Sequence, residues 1–301
     1  MDGMGAENKT TEVYRSPIGR NLKYVTHLTR KSPLTVLGLL ILFITVLLAV
    51  ISPYVAPYPE DITYASHLEV RLKPPSLVHL FGTDDLGRDI FSRVIYGTRI
   101  SLIIGLIVIS IALTIGSMLG AIAGYVGGIV DEILMRITDI FLSVPSLVLA
   151  LAIAASLGPS LVNAMIAISL VWWPWYARLV RGQTLTLKEL DFVEAARSLG
   201  VSTHMILLRH ILPNCLAPIV VQGSLDVGYA ILTAASLGFL GVGAQPPTAE
   251  WGLMIGYGRQ FFPTWWWVAV FPGIAIFFVV LGFNLLGDGL RDILDPRLRR
   301  E

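Results

Sequence analysis

The chain has 301 residues, of which 54% are hydrophobic and only 14% charged, with a formal net charge of +1; soluble domains carry roughly 25% charged residues. That balance excludes an ordinary water-soluble domain and offers no basic surface for nucleic acid. Cys215, the only cysteine, excludes an internal disulfide, and His27, His67, His79, His204 and His210 are scattered without metal-ligand spacing, so no metal site is expected.

Residues 1–33 form a charged N-terminal segment, expected in the cytoplasm. The sequence from Ser32 to Pro59 is then charge-free, longer than the roughly 7–15 apolar residues of a signal peptide. A bilayer core takes about 20 apolar helical residues, so 34–51 is expected as helix one of a transmembrane domain spanning 34–290. A Pro-rich stretch opens a long outside loop, 56–99. Residues 100–130 are uncharged and hold helix two, ending near Gly124. Gly116, Gly120, Gly124 and Gly128 recur at four-residue intervals, a small-residue face that lets another helix approach closely.

Residues 140–177 are uncharged over 38 positions, too long for one span, and are expected to break at Gly158-Pro159 into helices three and four. Helix three begins near Ile133 and includes Asp139. Helix five follows Pro213 and is interrupted only by Asp226. After a Gly-, Pro- and Trp-rich outside loop, 239–266, residues 260–287 hold helix six, and 291–301 form a cytoplasmic tail. The uncharged runs do not alternate as barrel strands would. The expectation is an all-α integral membrane protein with six transmembrane helices. With both termini cytoplasmic, the inside segments carry 16 Lys and Arg and the outside segments 6, in keeping with the positive-inside rule.

Charges within spans normally face the bundle or a cavity. Arg136 and Asp139 lie three apart and can pair on one helix face. Asp226 has no evident local partner. All three are candidates for the pathway or its gate. Trp172, Trp173 and Trp175, with Trp265, Trp266 and Trp267, fall where interfacial aromatic belts are expected.

Segment 178–213 holds the most informative pattern: Asp191-Phe192-Val193-Glu194-Ala195-Ala196-Arg197-Ser198-Leu199-Gly200, then His210-Ile211-Leu212-Pro213. It reads as two short helices. The first places Phe192, Ala195, Ala196 and Leu199 on one face and stops at Gly200. Ser202 is placed to N-cap the second, which runs to Pro213. Periodicity alone leaves open an ordinary connection between spans.

Glu194-Ala195-Ala196, then Leu199-Gly200 and a later Ile-Leu-Pro resemble the EAA loop of ABC importer permeases. Phe81-Gly82-Thr83-Asp84-Asp85-Leu86-Gly87-Arg88-Asp89, Gln245-Pro246-Pro247-Thr248-Ala249-Glu250-Trp251-Gly252 and Asn284-Leu285-Leu286-Gly287-Asp288-Gly289-Leu290-Arg291-Asp292 with Leu294-Asp295-Pro296-Arg297 resemble the peptide/opine/nickel class, in particular its subunit with the long first outside loop. The resemblance implies a type I ABC importer permease in the plasma or inner membrane, with Glu194, Ala195, Ala196, Leu199 and Gly200 coupling to an ATPase. It places Gly82, Thr83, Asp84, Gly87, Arg88 and Asp89 at the outer mouth, where a binding protein docks. The implied partners are a second homologous permease forming a heterodimer, two ABC ATPase subunits that bind ATP and Mg, and an extracytoplasmic substrate-binding protein. The implied cargo is di- or oligopeptides, with oligosaccharides or nickel as alternatives.

The chain itself has no G-x-x-x-x-G-K-[ST] phosphate loop and no H-E-x-x-H pair. No cofactor, no catalytic residue and no enzymatic activity are therefore expected in it. The alternative from another class, an ion-coupled secondary transporter, calls for broken helices and polar clusters near the midplane. Only Asp226 and Asp139 could serve it.

Overall fold

The computed structural model describes residues 33–294, and all of its regular structure is helical. Ten α-helices are present among these residues: α1 (Pro33–Val55), α2 (Ile90–Val126), α3 (Gly128–Leu142), α4 (Ser146–Leu157), α5 (Leu161–Leu187), α6 (Asp191–Ser198), α7 (Thr203–Ile206), α8 (Leu216–Phe239), α9 (Trp251–Gly258) and α10 (Trp267–Leu294). A π turn (Leu207–Ile211) and a 3-10 turn (Leu212–Cys215) join α7 to α8. Four stretches are long and apolar enough to cross a membrane: α1, α2, the run Thr203–Phe239 and α10. The pair α3–α4 makes a fifth if counted as one bent span. Helix α5 has 27 residues, but Trp172, Trp173, Pro174, Trp175 and Tyr176 in its middle make it less apolar.

Two expected boundaries move. Helix two starts at Ile90, ten residues before the uncharged run, because Asp89 caps it and the charges of Arg93 and Arg99 are carried on its first turns. Helix three is not one rod. It stops at Leu142, and α4 leaves at 89° to α3. Pro145 sits at the corner: it lacks an N–H and disfavours helical geometry in the residue before it. The break expected at Gly158-Pro159 is present, with Gly158 at φ +91°.

Helix α2 is the hub. At 37 residues it is about 55 Å long at 1.5 Å per residue. Its most extensive packing is against α5, and it also meets α1 and α8. The glycine face is the α2–α5 seam. A Cβ on Gly116 would lie 2.6 Å from Tyr176 Cβ, one on Gly120 would run into the Ala177 carbonyl, and one on Gly124 would lie 2.8 Å from Thr184 Cβ. Gly128 is outside the seam, with nothing near it. In lipid the apolar effect does not draw helices together, so this close backbone approach supplies the dispersion contacts that do. Helix α1 is peripheral. It buries Thr35, Gly38, Leu42, Thr45, Ala49 and Ser52 against the bundle and exposes Leu34, Leu40, Phe43 and Val50, as a lipid-facing helix does.

Candidate functional site

Two non-spanning assemblies lie at opposite ends of α2. At its C-terminal end, α6, α7 and the π turn form a knob over a small core of Ala121, Val180, Val193, Ala196, Ile206, Ile211, Cys215 and Ile219. Helix α6 turns Val193 and Ala196 into this core, while Phe192 (42% exposed), Ala195 and Leu199 (84% exposed) face outward. The one apolar face expected from the sequence is thus two: Ala196 belongs to the anchoring side, and Phe192, Ala195 and Leu199 form the free side.

The helix ends as its glycine requires. Gly200 has φ +74°; its N–H donates to Arg197 O at 3.0 Å, and Val201 N–H donates to Ala196 O at 3.1 Å. This is the Schellman pattern. Ser202 does not cap α7 with its side chain; its backbone oxygen accepts from Met205 and Ile206 N–H instead. Glu194 is exposed. The knob is tied to its surroundings by Lys188 Nζ donating to Gly124 O at 3.1 Å and by Arg197 over the Tyr125 ring at 5.6 Å. Nearby, Arg181 donates twice to Asp131, at 2.5 and 2.6 Å, bridging α5 and α3.

At the other end of α2 the loop 56–89 is folded by carboxylates. Asp84 accepts from Leu86 N–H and Arg88 N–H, both at 2.9 Å, and from Arg88 Nε at 2.8 Å. Asp89 N-caps α2, accepting from Ser92 N–H at 2.7 Å and Ser92 Oγ at 2.8 Å, and its other oxygen meets His79 Nδ1 at 3.0 Å. Asp61 accepts from Asp89 N–H at 2.7 Å and pairs with His67 Nε2 at 3.0 Å. Burial raises the Asp61 carboxyl above the ordinary range, and the Asp89 and His67 hydrogen bonds oppose that shift. Thr83 is sealed in, its carbonyl accepting from Trp267 Nε1 at 3.3 Å. Arg93 is buried and donates to Asp61 O at 2.8 Å and to Pro247 O and Thr248 O at 3.3 and 3.4 Å, clasping the first loop to the second. In that second loop Glu250 caps α9 through Gly252 and Leu253 N–H, both at 2.8 Å, although burial pushes its carboxyl up.

Glu60, Asp61 and His67 bring possible metal-ligand atoms within 4.8 Å of one another. Both Asp61 oxygens are already engaged by Asp89 and His67, so the group reads as loop scaffolding.

The in-span charges are placed differently from expectation. Asp139 does not pair with Arg136. It accepts from Arg178 Nη2 at 2.6 Å, while Arg136 lies 3.7 Å from Glu132. The bend at Pro145 and the chain's return as α5 bring Arg178 to Asp139, which sequence spacing does not reveal. Asp226 does have partners. It is 5% exposed and accepts from Tyr176 Oη at 2.7 Å and Gln222 Nε2 at 3.0 Å. It therefore clasps α8 to α5 inside the bundle. Of the tryptophans, Trp265, Trp266 and Trp175 are exposed as belt residues are, whereas Trp173 and Trp267 are buried. The motif around Asp295-Pro296-Arg297 lies outside the described residues.

The family described as binding-protein-dependent transport system inner membrane component matches residues 116–300, and the N-terminal TM domain of oligopeptide transport permease C matches residues 23–75. The chain belongs to this permease family. Among similar curated proteins, the probable D,D-dipeptide transport system permease protein DdpC of Escherichia coli is 50% identical over 88% of each chain. The dipeptide transport system permease protein DppC of Alkalihalophilus pseudofirmus is 49% identical over 90% of this chain and 88% of its own. The Escherichia coli DppC is 49% identical over 91% of this chain and 92% of its own. A chain of the MetNI methionine ABC transporter, solved in inward-facing conformations, shares the fold: TM-score 0.54 at 19% identity, over 67% of this chain and 96% of that one. The permease is thus a multi-pass inner-membrane subunit of a binding-protein-dependent ABC transport system.

Proposed function

We propose that this permease forms one half of an import pathway for di- or oligopeptides and performs no chemistry of its own. ATP and Mg are bound, and ATP is hydrolysed, by two separate ATPase subunits. A second, homologous permease supplies the other half of the pathway. Six helices cross the membrane in this reading, with both termini cytoplasmic. That orientation puts the knob in the cytoplasm and the two carboxylate-folded loops outside, where a binding protein delivers cargo.

The observation that carries the reading is the free side of α6. Phe192, Ala195 and Leu199 project from a helix whose opposite side, Val193 and Ala196, is locked into its own core. Exposed apolar side chains on a firmly seated short helix suit insertion into a groove on another subunit. The half-exposed Asp139–Arg178 pair supports the pathway half of the reading. On otherwise apolar helices such a pair faces water or a second permease rather than lipid. The peptide cargo rests on what the similar permeases are named for.

The test is reconstitution with the cognate ATPase subunits, second permease and binding protein in liposomes. The expected result is accumulation of a labelled dipeptide on the knob side that needs ATP on that side and the binding protein on the other. Uptake that persists without ATP under an imposed ion gradient would overturn the ATP-driven reading.

A further inference from the structure

The residues of the first outside loop that its motif singles out are used up inside the loop. Asp84, Asp89 and Thr83 hold backbone and neighbouring side chains, and Arg88 is spent on Asp84. The next residue, Asp85, is different. Among the described residues it makes no ion pair and no hydrogen bond to another residue, yet it is only partly exposed. Burial and the neighbouring Asp84 push its carboxyl above the ordinary range, and the Arg88 and Arg71 guanidinium groups oppose that shift.

Asp85 lines a cavity of about 270 Å³ where the first loop meets the second loop and α9. Ile90, Leu253, Met254 and Val268 give it apolar walls, and Tyr64 and Tyr257, both exposed, stand at it. The other charges at the cavity are committed, Arg88 to Asp84 and Arg93 to three backbone carbonyls. Asp85 is the lining charge left without a hydrogen bond or ion pair to another residue, although Arg88 and Arg71 act on it through space.

We propose that this cavity is a socket for one Lys or Arg side chain of the extracytoplasmic binding protein. The aliphatic stem lies along Met254 and between the two tyrosine rings, and the cationic head meets Asp85. Long basic side chains combine an apolar stem with a charged tip, and a cation gains further from aromatic faces. A single anchor of this kind in a preformed pocket is the sort of contact that dominates an interface. The proposal rests on the reading that a binding protein docks on these loops.

The experiment uses the assembled transporter in nanodiscs and reads two quantities: the binding-protein concentration that half-saturates ATPase stimulation, and the directly measured Kd. Asp85→Lys, which repels the anchor, and Met254→Trp, which fills the socket, should each raise both by at least about tenfold. Asp85→Asn, which keeps the size and is the decisive variant if Asp85→Lys does not assemble, should raise them at least about threefold. Changing one surface Lys or Arg of the binding protein to Glu should restore affinity to Asp85→Lys. Unchanged half-saturation in these variants overturns the socket. So does an unchanged half-saturation with a shifted KM for peptide, since the cavity would then be a substrate subsite. If the wild-type complex is not stimulated by binding protein at all, the reading beneath the proposal falls, and the socket with it.

Discussion

The two ends of α2 are built from opposite materials. The first-loop end is a lattice of buried polar groups. Asp61, Asp84 and Asp89 each satisfy several donors, and Arg93 satisfies three carbonyls on two loops. Each of these groups becomes an uncompensated buried polar atom if its partner leaves, so the lattice holds as a unit or fails as a unit. The knob end has a small apolar core, one glycine-terminated turn and a few peripheral polar ties. Its cost of displacement is gradual. The difference suits a rigid outer platform and an inner lever that moves against a partner.

The largest effect is expected at the lever's turn. Gly200 sits at φ +74° with open space around it, so a side chain there meets a backbone penalty and no clash. For a β-branched residue that penalty exceeds the roughly 1 kcal/mol typical of the left-handed region. Gly200→Val should swing α7 relative to α6 while leaving the spans intact. The expected outcome is normal membrane insertion, uptake reduced by at least about tenfold, and either loss of the ATPase subunits or hydrolysis uncoupled from transport. Wild-type uptake would mean that the knob is not the coupling element.

Arg93→Ala should show the contrasting signature. It leaves the Asp61, Pro247 and Thr248 carbonyls without their donor, at about 1–3 kcal/mol for each one that stays buried. The complex should melt several degrees lower, and uptake should fall only in proportion to the protein that survives. If instead melting is unchanged and uptake per folded molecule collapses, the lattice is acting in transport rather than in support.

Sequence reading reached these two ends unequally. The knob was legible almost throughout, because a short amphipathic helix followed by glycine is a local pattern. What sequence reading missed was the sorting of Ala196 from Phe192 and Leu199, the absence of a Ser202 side-chain cap, and the second helix, which stops as an α-helix at Ile206 and reaches Pro213 only through a π turn and a 3-10 turn. The outer loop was legible as a motif but not as a division of labour. Nothing in Asp84-Asp85 says that the first carboxylate folds the loop and the second is left over. Within the bundle, charge-free runs pointed to the long helices but missed Pro145, which lies inside such a run. Spacing along one helix also suggested an Arg136–Asp139 pair when the partner of Asp139 is 39 residues away on α5. Tyr176 escaped notice for the same reason: its role depends on Asp226, 50 residues on.

A smaller effect tests the link between the two ends. Asp226 joins α8, which continues into the knob, to α5 through Tyr176. Asp226→Asn keeps an acceptor for the Tyr176 hydroxyl and should insert and assemble normally. Asp226→Ala leaves that buried hydroxyl without a partner, at about 1–3 kcal/mol. A melting comparison of the two variants should therefore separate them, with alanine clearly lower. Equal melting would mean that the hydrogen bond contributes nothing, and a label at position 226 in contact with lipid would contradict its burial outright.

The smallest effect contrasts two residues that precede helices: Asp89, which the structure shows to be an N-cap, and Ser202, which the sequence suggested as one. Asp89 accepts from Ser92 N–H and Ser92 Oγ at the start of the longest helix, within the lattice. Ser202 precedes α7 but makes no side-chain cap, because its backbone oxygen already takes the first turn and its hydroxyl lies 3.5 Å from His204 Nε2 in an exposed position. A working cap is worth about 1 kcal/mol and an exposed substitution without one stays within about 0.5 kcal/mol. Ser202→Ala should therefore leave melting, ATPase coupling and uptake at wild-type values. Asp89→Ala should lower the melting temperature, and by more than the cap alone, since the same carboxylate also holds His79. If Ser202→Ala proved as damaging as Asp89→Ala, the knob would depend on a polar network that its packing does not display, and the contrast between a rigid platform and a compliant lever would not hold.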